Sequence, residues 1–522
     1  MNTVVEISGL RLKFPGDPGL LFQELSLTIN RGEKVLLLGP SGCGKSTLLQ
    51  VASGLIPETV EVPMKADRVQ TPESWGYVFQ DPDSQFCMPY VDEELAFVLE
   101  NIQVPREEMP ERIRGLLERV GLDLEDVHTP IRALSQGMKQ RLAVASVLAL
   151  EPQVLFLDEP TSMLDPEGTR QVWDTLEKAA SRLTVIIVEH KLERVLDWVD
   201  RVILMNGEGR IWADGPPAEL FSRYREQLME YGIWYPGVWE DYAAGRSLPS
   251  RKESGNPLSG GYAELDAAAL LVGDDAAGLR TCGSVGARGE ASPIVLLERF
   301  EGLRGKQPAI EVNSASFGAG EWITMVGENG AGKSTLLLSL MQLVPTRGSY
   351  ELAGQRVTAK TPLYPHLAYV FQNPEFQFVT DSVEDEIAFT LRRQQIPPQE
   401  IKRLTEAELE RFALSAQRGK HPYQLSMGQK RRLSVASAIV GGQPVLLLDE
   451  PTFGQDARNT FAMLEQLERL RAEGVTVLMV THDMEIVRHF ATRVWTVQGG
   501  RLVSDTPAPR AAAGEAQEVS VL

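Results

Sequence analysis

Cysteine is scarce. The 522 residues carry three, Cys43, Cys87 and Cys282, too far apart for a metal-ligand pattern and in keeping with a reducing compartment. Long apolar runs are missing too. No stretch reaches the roughly 18–20 apolar residues needed to span a bilayer, so any work at a membrane needs a partner that holds the chain there. The start, Met1-Asn2-Thr3-Val4-Val5-Glu6, has neither a basic segment nor a sustained apolar one and does not read as a signal peptide. Positive charge is short: 52 Lys and Arg stand against 71 Asp and Glu, a net charge of −19. A surface that tracks a nucleic-acid backbone is basic, so nucleic acid is not an expected partner. Hydrophobic content of 43% and charged content of 24% are ordinary for globular protein. The chain is too long for one core, which predicts two domains of about 200–240 residues.

What the chain does contain, it contains twice. Gly39-Pro40-Ser41-Gly42-Cys43-Gly44-Lys45-Ser46-Thr47 and Gly327-Glu328-Asn329-Gly330-Ala331-Gly332-Lys333-Ser334-Thr335 both fit G-x-x-x-x-G-K-[ST]. The later landmarks repeat at nearly constant offset: Gln80 and Gln372, Ser135 and Ser426, Asp158 and Asp449, His190 and His482. One nucleotide-binding unit has been duplicated within the chain.

Short apolar runs precede these landmarks. Val35–Leu38 and Ile323–Val326 lead into the glycine-rich loops, Val154–Leu157 and Val445–Leu448 into Asp-Glu-Pro-Thr, and Thr184–Val188 and Val475–Val480 stop just before a histidine. They read as buried parallel strands alternating with helices, an α/β sheet that binds ligands at its carboxyl ends. We expect domains at residues 1–245 and 293–505. Between them, 246–292 is Gly-, Ala- and Ser-rich with five basic and six acidic residues, and reads as a flexible linker. A coil of that length spans about 38 Å, so the halves are expected to pair with each other at about millimolar effective concentration. The tail, 506–522, reads as disordered.

A phosphate-binding loop needs glycines so that its backbone N–H groups converge on phosphate oxygens, and the following helix adds its positive end. Lys45 and Lys333 can reach the β- and γ-phosphates, and the hydroxyls of Ser46 and Ser334 can ligate Mg²⁺. Asp158 and Asp449 end buried strands where an outer carboxylate for Mg²⁺ is needed. Glu159 and Glu450 follow, placed to orient or deprotonate the attacking water. Gln80 and Gln372 close a strand, and their amides can ligate Mg²⁺ or water. His190 and His482 can donate to the γ-phosphate. Leu134-Ser135-Gln136-Gly137-Met138 and Leu425-Ser426-Met427-Gly428-Gln429 each read as a helix start.

This order of phosphate loop, Gln, Leu-Ser-x-Gly, Asp-Glu and His resembles the ATP-binding cassette (ABC) family over nearly all of both halves. The resemblance implies two tandem P-loop NTPase domains, each a mainly parallel sheet core with an antiparallel β subdomain and a helical signature subdomain. It implies head-to-tail pairing, with Ser135 and Gly137 completing the site of Lys333, and Ser426 and Gly428 that of Lys45. Gln136, Met138 and Met427 depart from the usual Leu-Ser-Gly-Gly-Gln, but Ser and the second Gly are kept. The D-loops would be Ser162-Met163-Leu164-Asp165 and Phe453-Gly454-Gln455-Asp456, the second unlike the usual small-Ala-Leu-Asp. Phe14 would stack on adenine in the first half. Gly302-Leu303 stands at the corresponding place in the second, with Phe300 close by. Cys43 reads as filler.

After each Gln come Asp81-Pro82-Asp83-Ser84-Gln85-Phe86 and Asn373-Pro374-Glu375-Phe376-Gln377-Phe378. This F-Q-[DN]-P-[DE]-x-Q-F pattern resembles the ATPases of energy-coupling-factor (cobalt-type) importers, where the segment lies beside the groove for a membrane protein's coupling helices. Asp83 and Glu375 would suit basic side chains there. Fusion of two cassettes resembles the ATPase of some vitamin-type importers, including thiamin-precursor ones. The resemblance implies a transmembrane coupling subunit, a small substrate-capture membrane protein, and a place on the cytoplasmic face of the cell membrane. Two alternatives stay open: a ribosome-associated ABC-F-type translation factor and the fused ATPase of a sugar importer. The neutral linker speaks against the first and the intact second motif set against the second. The aromatic stretch Ile233–Trp239 is expected to pack on the first domain.

Overall fold

The computed structural model describes residues 3–16, 19–162, 164–245, 293–452 and 454–509. The linker expected at 246–292 lies outside them, as do Cys282, Met163, Phe453 and everything after 509.

In the first half a six-stranded sheet carries the motifs. Its strands stand in the order Ile211–Gly215, Arg201–Met205, Lys34–Leu38, Thr184–Val188, Val154–Asp158, Trp75–Val78, all parallel but the first pair. The three motif-bearing strands are apolar because both faces are covered. Leu36, Leu155, Leu157, Val185 and Ile187 face a cluster that includes Leu95, Leu142 and Trp173. Val35, Leu37, Val154, Phe156 and Ile186 face the other way, onto a smaller antiparallel sheet built from Thr3–Leu12, Phe22–Asn30 and two short strands. The helices Val91–Asn101, Met109–Arg119 and Gln136–Leu148 form the remaining layer.

The second half repeats the strand order: Arg501–Pro507, Arg493–Gln498, Trp322–Val326, Thr476–Val480, Val445–Asp449, Leu367–Val370. Here Gln307–Phe317 pairs with Arg501–Pro507 at Glu311 and Arg501, which joins both sheets into one of ten strands. That last strand runs two residues into the expected tail, because Pro507 and Thr506 pair with Arg493 and Val494. The strands before the glutamines stop early, at Val78 and Val370, so Gln80 and Gln372 lie in the loops beyond rather than closing a strand. No helix among the described residues is long and apolar enough to cross a membrane.

Candidate functional site

Each glycine-rich loop runs from a strand end to a helix N-terminus, at Lys45–Ser53 and Lys333–Leu340. Gly44 (φ 97°) and Gly332 (φ 104°) turn the chain into those helices in the left-handed region. A Cβ at Gly44 would lie 2.8 Å from the Phe22 ring, and one at Gly332 2.6 Å from the Ala309 carbonyl oxygen. Lys45 Nζ donates to Gly39 O (2.9 Å) and Pro40 O (3.1 Å), and Lys333 Nζ to Gly327 O (2.6 Å) and Glu328 O (2.8 Å). Both ammonium groups are thus buried and held over the loop they serve. Burial pulls the Lys333 pKa down, against the raising effect of Glu450.

Asp158 and Asp449 meet these loops at the strand ends. Ser46 Oγ donates to Asp158 Oδ1 at 2.8 Å. Two residues that motif reading missed join them: Tyr77 and Tyr369 hydroxyls donate to Asp158 Oδ2 (3.0 Å) and Asp449 Oδ2 (3.3 Å). Their repetition, 292 residues apart like the glutamines, was the available signal. Burial, reinforced by the adjacent glutamates, pushes both aspartates up to about 6. In the second site the Ser334 hydroxyl likewise lowers Asp449 by a hydrogen bond, against its burial. A hydroxyl and a carboxylate in each site are the hard oxygen donors that suit Mg²⁺, and a divalent ion there would keep both carboxyls ionised.

Glu159 and Glu450 leave the strands in a strained left-handed conformation, φ 48° and 49°. Their N–H groups donate to Val188 O (2.8 Å) and Val480 O (3.0 Å), which pins each beside the strand ending at its histidine. His190 Nε2 stands 3.1 Å from Glu159 Oε1, and His482 Nε2 3.2 Å from Glu450 Oε1. Gln80 Nε2 donates to Glu159 Oε2 at 3.0 Å, whereas Gln372 is exposed. Burial alone would raise these glutamates, but the imidazoles, acting by charge and hydrogen bond, bring them below the usual carboxylate value. They therefore stay ionised at neutral pH, as a base must. Without the imidazole, only lysine charge (Lys45 at Glu159, Lys333 and Lys191 at Glu450) opposes burial, and the pKa rises. In His190→Ala or His482→Ala the acid limb of the kcat–pH profile should move up. An unmoved limb would separate the histidines from the titrating base.

The halves meet head to tail. Asp456 Oδ2 accepts from Ser41 N (2.8 Å), and Asp165 Oδ2 from Asn329 N (3.1 Å), while the other oxygen of each caps its own helix. Ser135 and Ser426 cap the helices Gln136–Leu148 and Met427–Ile439. Gly428 is buried against the opposite loop, where a Cβ would lie 3.6 Å from Ser41 Cβ. Gly137 is not brought that close to the other loop: a Cβ there would meet only Gly168 and Leu164 of its own half.

Other expected residues fall as follows. Phe14 is half-buried against the first half's core. Phe300 is fully buried beside Tyr350, so it is a core residue and not an open platform. The Cys43 thiol is buried and pushed up by that burial. Asp83 and Glu375 are already paired, with Lys139 (2.7 Å) and Lys430, because each lysine lies one turn into the Ser-capped helix and reaches back across. The stretch Ile233–Trp239 packs on the first half through Ile233, Tyr235 and Val238, and also touches the second through Trp234 and Trp239 on Phe461.

Two phosphate-type loops, each met by an aspartate of the opposite half, make this a paired P-loop ATPase. The chain belongs to the ABC transporter family, which it matches over residues 22–162 and 311–453. It is 36% identical over 526 residues to the "Putative HMP/thiamine import ATP-binding protein YkoD" of Bacillus subtilis, covering 97% of this chain and 91% of that one. It is 33% identical over 524 residues to a "Putative ABC transporter ATP-binding protein" of Saccharolobus solfataricus, covering 96% and 93%. A solved chain, cbiO1 of Clostridium perfringens, described as part of the ABC transporter complex cbiONQ, is 32% identical with a TM-score of 0.37 and covers 44% of this chain and 94% of that one.

Proposed function

We propose that this chain is the ATPase subunit of an energy-coupling-factor importer that brings a vitamin, vitamin precursor or metal ion across the cytoplasmic membrane. Thiamin-related compounds are the favoured solutes, in line with the import named for the Bacillus subtilis relative. One observation carries the reading. The post-glutamine segment of the second cassette forms a turn, Pro374–Phe376, that buries Pro374 and exposes Phe376, with Val379 and Tyr423 exposed beside it. Gln377 fixes this turn to the Ser-capped helix by donating to Ser434 O at 2.7 Å, as Gln85 does in the first cassette by donating to Ala143 O at 3.3 Å. An anchored apolar turn on that helix suits a membrane subunit's short helix, and movement of the helix would pass to it. With Asp83 and Glu375 tied to lysines, apolar contact and not acidic pairing would do most of the holding.

In each site the loop N–H groups and Lys45 or Lys333 hold the phosphates. Ser46 with Asp158, and Ser334 with Asp449, would hold Mg²⁺, which would supply charge neutralisation at the phosphates. Glu159 and Glu450 orient and accept a proton from the attacking water, and His190 and His482 keep those carboxylates ionised and in place. The chain itself sits at the cytoplasmic face, held by its membrane partners.

A gentle detergent pull-down of the tagged chain from its native membranes, with mass spectrometry, tests this. Two small multispanning proteins are expected, the capture subunit pointing to the solute. Ribosomal proteins without a membrane partner would overturn the importer reading.

A further inference from the structure

The two D-loops are held by different hands. In the first, the carbonyl of Leu164 accepts from Lys191 Nζ at 2.9 Å, and Thr161 O lies 3.4 Å from the same ammonium. Lys191 directly follows His190, so this loop is gripped from within its own cassette. Glu189 supports the grip: its Oε2 accepts from Thr161 Oγ1 (2.6 Å) and its Oε1 from the N–H groups of His190 (2.8 Å) and Lys191 (3.2 Å).

The second cassette cannot do the same. The residue after His482 is Asp483, an acceptor only, and it is spent on capping its own helix through Glu485 N at 2.9 Å. The matching carbonyl, that of Gln455, accepts instead from Trp234 Nε1 at 2.8 Å. Trp234 belongs to the extension that ends the first cassette. The extension reaches its partner closely. Gly232 O accepts from Ala457 N at 3.0 Å, at the start of the helix that follows the loop, and a Cβ on Gly232 would lie 2.4 Å from Arg458 Cβ. Tyr242 stacks on Phe461, one turn further along, with ring centroids 4.3 Å apart.

Each D-loop serves a different phosphate loop. The first reaches Asn329 through Asp165 and the second reaches Ser41 through Asp456. Gln455 also donates to Gly428 O at 3.2 Å, so the Trp234 anchor continues into the helix start that covers Ser41.

We propose that Trp234 and Lys191 are positioning residues of the ATPase, one for each site: Trp234 holds the D-loop over the Lys45 loop from the other cassette, and Lys191 holds the D-loop over the Lys333 loop from its own. The indole is a rigid, half-buried donor and the lysine an exposed, flexible one. The first site is thereby the more tightly built, and each can be weakened alone. The inference depends on the two loops being the nucleotide sites but not on what is transported.

The test uses the full chain, 8-azido-ATP with Mg²⁺ and vanadate, photolysis, and peptide mass spectrometry to read trapping at each loop separately. Wild-type trapping at both loops is the control for the sites themselves. Trp234→Phe keeps the aromatic packing and removes one hydrogen bond. It should lower trapping at the Lys45 loop about fivefold relative to the Lys333 loop. Lys191→Met should do the reverse, and remains informative if the first variant melts early. An equal loss at both loops in either variant, or an unchanged ratio in both, overturns the proposal.

Discussion

Replacing Glu159 and Glu450 together by glutamine is expected to cut steady-state ATP turnover by about 10²–10⁴-fold while leaving ATP binding close to that of the wild type. The substitution is nearly isosteric and removes only the charge and the proton-accepting oxygen. Nothing that holds phosphate changes: Lys45 and Lys333 rest on carbonyls of their own loops, and Asp158 still meets Ser46. What changes is the base. In the wild type the imidazoles keep both glutamates ionised against their burial, and a glutamine amide at those places accepts no proton. The loss corresponds to about 3–5 kcal/mol of transition-state stabilisation. Phosphate release, measured beside equilibrium binding of a fluorescent nucleotide, separates the two effects. Near-normal turnover in the double variant would falsify the assignment of these carboxylates. A loss of binding in step with turnover would mean they hold phosphate instead.

Much of this site was legible because its determinants are local. A four-residue apolar run followed by Gly-x-x-x-x-Gly-Lys dictates a buried strand, a tight loop and a helix start, and the structure places Lys34–Leu38 and Lys45–Ser53 accordingly. Asp158 and Glu159 could be placed for the same reason. What the sequence hid depends on partners far away in the chain. The pairing of Glu311 with Arg501, which fuses the second half's sheets, spans 190 residues and leaves no mark in either strand's pattern. Asp83 and Glu375 looked free because the lysines that bind them are more than 50 residues distant. The Tyr77 and Tyr369 hydroxyls were hidden differently: each sits in a run that reads as an apolar strand, and only the three-dimensional strand order turns it toward the aspartate. The inequality between Gly428 and Gly137 could not be read at all, since both stand in the same four-residue pattern.

That inequality sets the second large effect. Gly428→Asp should suppress hydrolysis at the Lys45 loop by about 10²-fold, and Gly137→Asp should act less on the Lys333 loop. Gly428 is buried, and the space for a Cβ is bounded by Ser41 Cβ at 3.6 Å and the Gln455 amide at 3.6 and 3.8 Å. Alanine fits that space at ordinary contact distance. A carboxylate must extend over the phosphate loop itself. Two like charges about 5 Å apart at an effective dielectric of about 20 repel by about 3 kcal/mol, which is the expected hundredfold. Around Gly137 only Gly168 and Leu164 lie within reach, so a carboxylate there can turn to solvent. Each variant is best measured with the opposite glutamate replaced: Gly428→Asp with Glu450→Gln, and Gly137→Asp with Glu159→Gln, so that one site reports at a time. Nucleotide affinity at the Lys45 loop should fall less than turnover if, as proposed, that loop binds phosphate with its own backbone and the second cassette only closes over it. Equal losses in the two variants would mean that both interfaces close alike during turnover, and that the tighter fit around Gly428 has no consequence for rate.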